Sequence, residues 1–211
     1  MLISKPMDSV IRVLLCSEEP LAVASISKKA GVSRAWARRV VNGLKDSEYV
    51  KTGRYVTVID RIRLARAWGY CYSVREIPKM EFLAPERPQY VMLKVANLAR
   101  KEGLKYAFTL FSATEHVSPF VAPADTHLYV LEKDAKRWAD RLSAAGMMRA
   151  EGGGNVICLL VGEEHFEGVQ ETRDVKVVCL SQLYADLFSY GGRGEEAAEQ
   201  IAGLMRGKRN V

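Results

Sequence analysis

The hydrophobic and polar positions between residues 21 and 44 follow two helical repeats separated by a short turn. This run, LAVASISKKAGVSRAWARRVVNGL, has apolar residues three and four positions apart in its second half. Gly31 in the turn tolerates positive φ, and Ser33 can accept a hydrogen bond from an amide of the next turn. The pattern predicts two helices, the second of which packs through Ala37, Val40, Val41 and Leu44.

The polar positions of the second predicted helix are mostly basic. They lie off the apolar stripe and are Arg34, Arg38, Arg39 and Asn42. Arginine can bind guanine edges or phosphates, and asparagine can bind adenine edges, so this face suits the major groove of DNA. The alternative is a plain helical hairpin whose basic face is solvated.

Two short runs of alternating apolar and polar residues follow, at 49–51 and 54–58, around Thr52-Gly53. They predict a two-stranded hairpin, and Leu21–Val23 is predicted as a short strand beside it. With this hairpin, residues 5–60 resemble a winged helix-turn-helix domain. The resemblance implies binding to double-stranded DNA, and the expected contact residues are Ser33, Arg34, Arg38, Arg39, Asn42, Lys51 and Arg54.

Charge is distributed unevenly along the 211 residues. Residues 1–70 contain 13 basic and 6 acidic residues, a net charge of +7, whereas residues 71–211 carry a net charge of −1. The predicted DNA-binding segment therefore holds all of the excess positive charge, as attraction to phosphates requires. Three further arginines follow the hairpin, either as contacts to the DNA backbone or as solvated side chains: Arg61, Arg63 and Arg66.

Composition divides the chain into three predicted segments. Residues 1–70 form the winged helix-turn-helix domain, and residues 71–89, with three prolines among charged residues, form a semi-rigid linker that includes a short strand near residues 72–74. Residues 90–211 alternate predicted helices with at least three predicted strands. The predicted fold class is α+β: an N-terminal winged helix-turn-helix domain followed by a mixed α/β domain.

The stretch from residue 111 to residue 130 resembles a nucleotidyltransferase core. In such cores a Gly-Ser pair precedes a strand with Asp-x-Asp, whose carboxylates bind two Mg²⁺ ions. Here Ser112-Ala113 and Asp125-Thr126-His127 stand at those places, so one carboxylate is missing. The resemblance implies a degenerate nucleotidyltransferase-like fold. We predict no catalytic residue, no metal site and no cofactor.

The four cysteines show no CxxC pair and no histidine at zinc-ligand spacing, and Cys158 and Cys179 lie in apolar runs typical of a protein core. No apolar run approaches the roughly 18 residues that span a bilayer, and the N-terminus has no signal-peptide core. These features predict a cytoplasmic protein without a membrane partner.

The end of the chain carries the most specific motif. LSQLYADLFSYGGRGEEAAEQI, residues 180–201, resembles the C-terminal signature of AbiEi-like antitoxins of type IV toxin–antitoxin systems. The family resemblance implies repression of the protein's own two-gene operon and neutralisation of a nucleotidyltransferase-like toxin. The residues alone indicate a sharp glycine turn after a helix, with Arg193 folded back onto helix-end carbonyls or onto Asp186.

Together these features predict a DNA-binding transcriptional regulator and antitoxin, and not an enzyme. The expected partners are double-stranded DNA, a nucleotidyltransferase-like toxin and a second copy of the chain. Two alternatives stay open: a divergent nucleotidyltransferase with a nucleic-acid-binding appendage, and a ligand-responsive winged-helix repressor.

Overall fold

A computed structural model describes residues 3–207, which form two compact units. Unit one comprises Met1–Glu76, Glu163–Gly168 and Cys179–Val211, and unit two comprises Ile77–Gly162 and Val169–Val178. Unit one thus gathers segments from both ends of the chain, whereas the predicted ranges 1–70, 71–89 and 90–211 divide it consecutively. The fold is mixed α and β, as the sequence predicts.

The helices and strands alternate along most of the chain. In order they are α1 (Lys5–Cys16), α2 (Val23–Lys29), α3 (Arg34–Asp46), β1 (Val50–Thr52), β2 (Val56–Val58), α4 (Arg61–Cys71), β3 (Lys79–Leu83), α5 (Pro88–Glu102), β4 (Tyr106–Phe108), α6 (Leu110–Val117), β5 (Thr126–Leu131), α7 (Ala135–Ala144), β6 (Met148–Ala150), β7 (Val156–Val161), β8 (Gln170–Thr172), β9 (Val175–Val177), α8 (Leu180–Tyr190) and α9 (Arg193–Gly207). Within residues 3–207, every helix is too short or too polar to span a lipid bilayer.

Unit one is a bundle of helices with a small hairpin. Strands β1 and β2 pair antiparallel, with Val50 opposite Val58, and Leu21 forms a bridge to Val56. Helix α8 packs on α9, α4 and α1 through fully buried Leu183 and Leu187. Hydrophobic burial therefore holds the C-terminal helices in the same core as the N-terminal ones.

Unit two is built around a seven-stranded sheet with strand order β6-β3-β7-β5-β4-β9-β8. The pairs β5–β7 and β4–β9 are parallel, and the other neighbours are antiparallel. The strands β5 and β7 are nearly continuous apolar runs, THLYVL and VICLLV, and most of their side chains are buried. Central strands that are covered on both faces require this composition.

The segment from 71 to 89 differs from the predicted spacer. Residues 79–83 form β3, which lies between β6 and β7 in the sheet. Met80 and Phe82 are buried, because alternate residues of the strand point into the core. The predicted strand at residues 72–74 is wrong: Tyr72 ends α4, and residues 74–76 form a 3₁₀ turn.

Candidate nucleic-acid interface

Local hydrogen bonds close the turn between α2 and α3. The Ser27 hydroxyl donates to the Val32 carbonyl oxygen at 2.7 Å, and the Val32 amide donates to the Ser27 carbonyl oxygen at 3.1 Å. Gly31 has φ = 63°, a left-handed conformation that other residues rarely adopt. Short-range contacts thus set the direction in which α3 leaves the turn.

Helix α3 has one buried side and one exposed side. Ser33 caps the helix, because its hydroxyl oxygen accepts a hydrogen bond from the Trp36 amide at 3.2 Å. The predicted apolar stripe is buried and consists of Ala37, Val40, Val41 and Leu44. Once this stripe is packed in unit one, the opposite side of the helix faces solvent.

The exposed side of α3 presents the predicted cations. Arg34, Arg38 and Arg39 are exposed, and so is Asn42. Within residues 3–207, none of these three guanidinium groups forms an ion pair with a carboxylate. Their hydrogen-bond donors are therefore available to an external anion or base edge.

The β1–β2 hairpin adds the other two predicted cations. Lys51 lies in β1 and Arg54 in the connection to β2, and both are exposed. Val50 and Val56 of the same hairpin are buried, so the alternation of side chains directs Lys51 outward. Unit one thus carries exposed cations on two neighbouring elements of the chain.

Two exposed aromatic residues accompany these cations, and neither is among the DNA contacts predicted from the sequence. The side chains of Trp36 in α3 and Tyr55 in the hairpin are 43% and 47% exposed. The guanidinium carbon of Arg39 lies 5.4 Å from the Trp36 ring centre, and that of Arg54 lies 5.5 Å from the Tyr55 ring centre. The signal in the sequence is an aromatic residue that falls outside the apolar repeat.

The arginines of α4 have partners within unit one. Arg61 donates to the carbonyl oxygens of Leu15 and Ser17. Arg66 donates to the Tyr184 hydroxyl at 3.2 Å and to a Glu199 carboxylate oxygen at 2.6 Å, and these two bonds raise the pKa of Arg66. We therefore place Arg61 and Arg66 among the structural residues of unit one.

Arg63 stands between those two arginines in the sequence and has a different environment. Its guanidinium carbon lies 4.7 Å from the ring centre of Tyr49, and one of its nitrogens lies 3.5 Å from the Glu48 carbonyl oxygen. The side chain is exposed. Arg63 thus lies against the segment between α3 and β1.

A buried polar network joins α1, α4 and α8 within unit one. Arg12 donates to an Asp8 carboxylate oxygen at 2.9 Å and to the Gln182 side-chain oxygen at 2.7 Å. The Trp68 indole donates to the other Asp8 oxygen at 2.7 Å. Buried charges need such partners, because transfer from water costs far more than one hydrogen bond returns.

Asp186 of the C-terminal signature belongs to the same network. It accepts hydrogen bonds from the Tyr72 hydroxyl at 2.9 Å and from the side-chain nitrogen Nε2 of Gln182 at 2.7 Å. Arg193 was predicted to fold back onto helix-end carbonyls or onto Asp186. Within residues 3–207 it forms neither contact, and it is exposed at the start of α9. Gly194 is needed for space: a Cβ there would lie 2.3 Å from the Leu187 carbonyl oxygen.

The stretch of unit two that resembles a nucleotidyltransferase core is held by its own hydrogen bonds. The Ser112 hydroxyl donates to the Asp125 carbonyl oxygen at 3.2 Å and accepts from the His127 amide at 2.9 Å. Ser112 is fully buried. Its hydroxyl therefore connects α6 to the beginning of β5.

The ionisable groups of this stretch are shifted toward their neutral forms. Burial lowers the pKa of His127 to about 4, and burial together with the Glu81 carboxylate raises the pKa of Asp125. Among residues 3–207, the structure brings together no group of three or more His, Cys, Asp or Glu side chains able to hold a metal ion.

The cysteines differ from the sequence prediction at one position. Cys179 is not a plain core residue, because it forms a disulfide with Cys16 at the end of α1, with a Cα–Cα distance of 5.8 Å. Cys158 is buried and free, as predicted, and burial raises the pKa of its thiol to about 12. The disulfide joins two residues of unit one that are 163 positions apart in the sequence.

Comparison with known proteins identifies the family. A family model described as transcriptional regulator, AbiEi antitoxin, type IV TA system matches residues 57–205. A search of curated proteins finds no match. The family match begins in β2, so it includes the C-terminal signature and all of unit two but not α3. Because it spans well over half of the chain, the protein belongs to the AbiEi family of type IV toxin–antitoxin transcriptional regulators.

Proposed function

We propose that this protein binds double-stranded DNA through α3 and the β1–β2 hairpin, arranged as a winged helix-turn-helix domain. The observation that supports this most strongly is the two-sided character of α3. Its apolar stripe is buried, while Arg34, Arg38 and Arg39 are exposed and have no carboxylate partner within residues 3–207. Helices of this kind enter the major groove through their exposed side, and their first turns contact the bases.

The biological role follows from the family. We propose that the protein acts in the cytoplasm as the antitoxin of a type IV pair and represses transcription of its own operon. A toxin encoded beside it and a second copy of the chain are the proposed partners, and unit two is proposed to be a scaffold of the nucleotidyltransferase type without its chemistry. The regulatory description of the family supports a non-enzymatic role.

The family match does not cover the proposed DNA contacts. Residues 33–54, which contain all of the proposed DNA contacts, lie outside residues 57–205. Family membership therefore supports regulation and antitoxin activity, whereas the DNA interface rests on the geometry of unit one. DNA binding and antitoxin activity therefore require separate experiments.

DNA binding is tested with a fluorescent fragment taken from immediately upstream of the protein's own reading frame. Replacing Arg34 or Arg38 by alanine is expected to weaken binding by about 1–3 kcal/mol if the residue contacts a base. The logarithm of the affinity is expected to fall with the logarithm of salt concentration, with a slope of about −0.9 per phosphate contact.

Arg149→Ala is the matched control, because Arg149 is an exposed arginine of unit two. It is expected to bind the fragment as the unmodified protein does. If Arg34→Ala and Arg38→Ala both bind like this control, α3 is not the recognition helix. The antitoxin role is tested by co-expression with the neighbouring reading frame. If that reading frame stops the growth of the host cells and this protein does not restore growth, the antitoxin role is contradicted.

A further inference from the structure

Trp36 occupies an unusual position for a tryptophan. It lies in the first turn of α3, three residues after the Ser33 cap, with 43% of its surface exposed. A tryptophan side chain offers a large apolar surface and one hydrogen-bond donor, so it contributes most when a partner covers it. The exposed part of the indole ring is therefore available to a binding partner.

A cation and the buried stripe of α3 adjoin Trp36. Arg39 is one helical turn further along and places its guanidinium carbon 5.4 Å from the indole ring centre. The stripe that packs α3 begins at the next residue, Ala37, which is fully buried. Trp36 thus stands at the border between the packed side of the helix and its cationic side.

Small residues leave room beside this pair. Ala35 and Gly43 are both exposed, and a Cβ on Gly43 would meet no atom within 4 Å. Glycine inside a helix is unfavourable relative to alanine, and packing within unit one does not require it here. A surface of this shape lets the helix backbone approach the floor of a groove.

The chemistry of the major groove limits what an indole can recognise there. Thymine presents a 5-methyl group, the one apolar feature among the base edges, and apolar side chains distinguish thymine by contacting it. The other three bases present hydrogen-bond donors and acceptors, which suit the neighbouring arginines and Asn42.

We propose that Trp36 is a specificity-determining residue whose indole ring contacts the 5-methyl group of a thymine in the major groove. The inference rests on the proposed DNA binding. It adds an apolar contact to a set of expected contacts that is otherwise polar and cationic, and it assigns a base preference to one position of the binding site.

The test uses the bound region of the upstream fragment as a synthetic duplex. In a series of duplexes each thymine is replaced singly by deoxyuridine, which removes only the methyl group. The unmodified protein is expected to bind about fourfold more weakly when one particular thymine is replaced, the factor that burial of one methyl group gives. Trp36→Ala is expected to bind more weakly overall and to lose this sensitivity.

Two further variants test whether the effect depends on the aromatic ring at position 36. Trp36→Phe keeps an aromatic ring and is expected to retain part of the sensitivity, and its thermal unfolding shows that α3 is intact. Tyr70→Ala is the matched control: Tyr70 is an aromatic residue of α4 with 68% of its surface exposed. It is expected to show the deoxyuridine profile of the unmodified protein.

The possible failures are distinct. If the protein binds the duplex and every deoxyuridine replacement leaves the affinity unchanged, the Trp36 contact is overturned while DNA binding stands. Retention of the full sensitivity by Trp36→Ala also overturns it, because another residue then contacts the methyl group. If the protein binds none of the duplexes, the proposed function itself fails.

Discussion

Arginines occupy two opposite environments in unit one. Arg12 in α1 is fully buried, with Asp8 and Gln182 within hydrogen-bond distance and its guanidinium carbon 5.2 Å from the Trp68 ring centre. Arg34 and Arg38 in α3 are exposed and form no ion pair within residues 3–207. The same side chain therefore serves the fold in one place and is available to a partner in the other.

The difference shows why charge counted along a sequence overstates a binding surface. Of the 13 basic residues in positions 1–70, those with hydrogen-bond partners inside unit one include Arg12, Lys29, Arg61, Arg63 and Arg66. Carboxylates compensate the charges of Arg12, Lys29 and Arg66. Cations without a carboxylate partner are expected to contribute more strongly to the attraction of DNA. We expect substitutions of the partnered arginines to lower stability and substitutions of the exposed arginines to lower DNA affinity.

The largest loss of folding stability is expected from Arg12→Met. The change keeps a long side chain but leaves the Asp8 carboxylate buried without its ion pair. Removing one partner of a buried pair costs about 3–5 kcal/mol of the free energy of unfolding. Urea denaturation followed by circular dichroism measures it, with Arg149→Ala as the control. A loss below about 1 kcal/mol would show that water or other side chains compensate Asp8.

A smaller loss of stability is expected at acidic pH. Burial lowers the pKa of His127 to about 4, so the unfolded chain binds a proton at higher pH than the folded chain does. Stability contributed by neutral His127 is therefore present above pH 6.5 and is lost as pH falls toward 4.

Urea denaturation at pH 7 and pH 5 tests this expectation. Protonation of His127 is expected to lower the free energy of unfolding by about 1–2 kcal/mol between pH 7 and pH 5. His127→Gln keeps a polar side chain that does not titrate, and it is expected to show a correspondingly smaller fall. An equal fall in both proteins would assign the acid sensitivity to other groups.

The smallest effect on folding is expected at the exposed arginines. Arg34→Ala and Arg38→Ala are expected to change the free energy of unfolding by no more than about 0.5 kcal/mol, because neither side chain packs in the core. The same proteins are expected to lose DNA affinity, so binding and stability separate. Destabilisation beyond about 1 kcal/mol would mean that these arginines belong with Arg12.

Local sequence determined the candidate interface to a large extent. The turn, the Ser33 cap and the buried stripe of α3 all lie where the sequence predicts them, because hydrogen bonds and helical periodicity over a few residues specify each of them. Trp36 and Tyr55 were missed because charge and hydrogen-bonding capacity alone were used to predict the DNA contacts, and an aromatic ring carries no charge.

The C-terminal signature shows the opposite case. Its motif identifies the family, yet its spacing does not reveal that Gln182 bonds to Arg12, 170 residues earlier. Nor do the apolar runs around Cys16 and Cys179 show that these two cysteines are joined. Contacts over such distances depend on how whole helices pack.

The sequence by itself determined most of the helices, the β1–β2 hairpin, the exposed basic side of α3 and the family. Only the tertiary structure decided that α8 and α9 share a core with α1 and α4, that β3 enters the sheet, and which arginines have partners inside unit one. The physical reason is range: helix caps, turns and periodicity are set by neighbours in the chain. Burial and the pairing of charges are set by whichever distant segments the hydrophobic effect brings together.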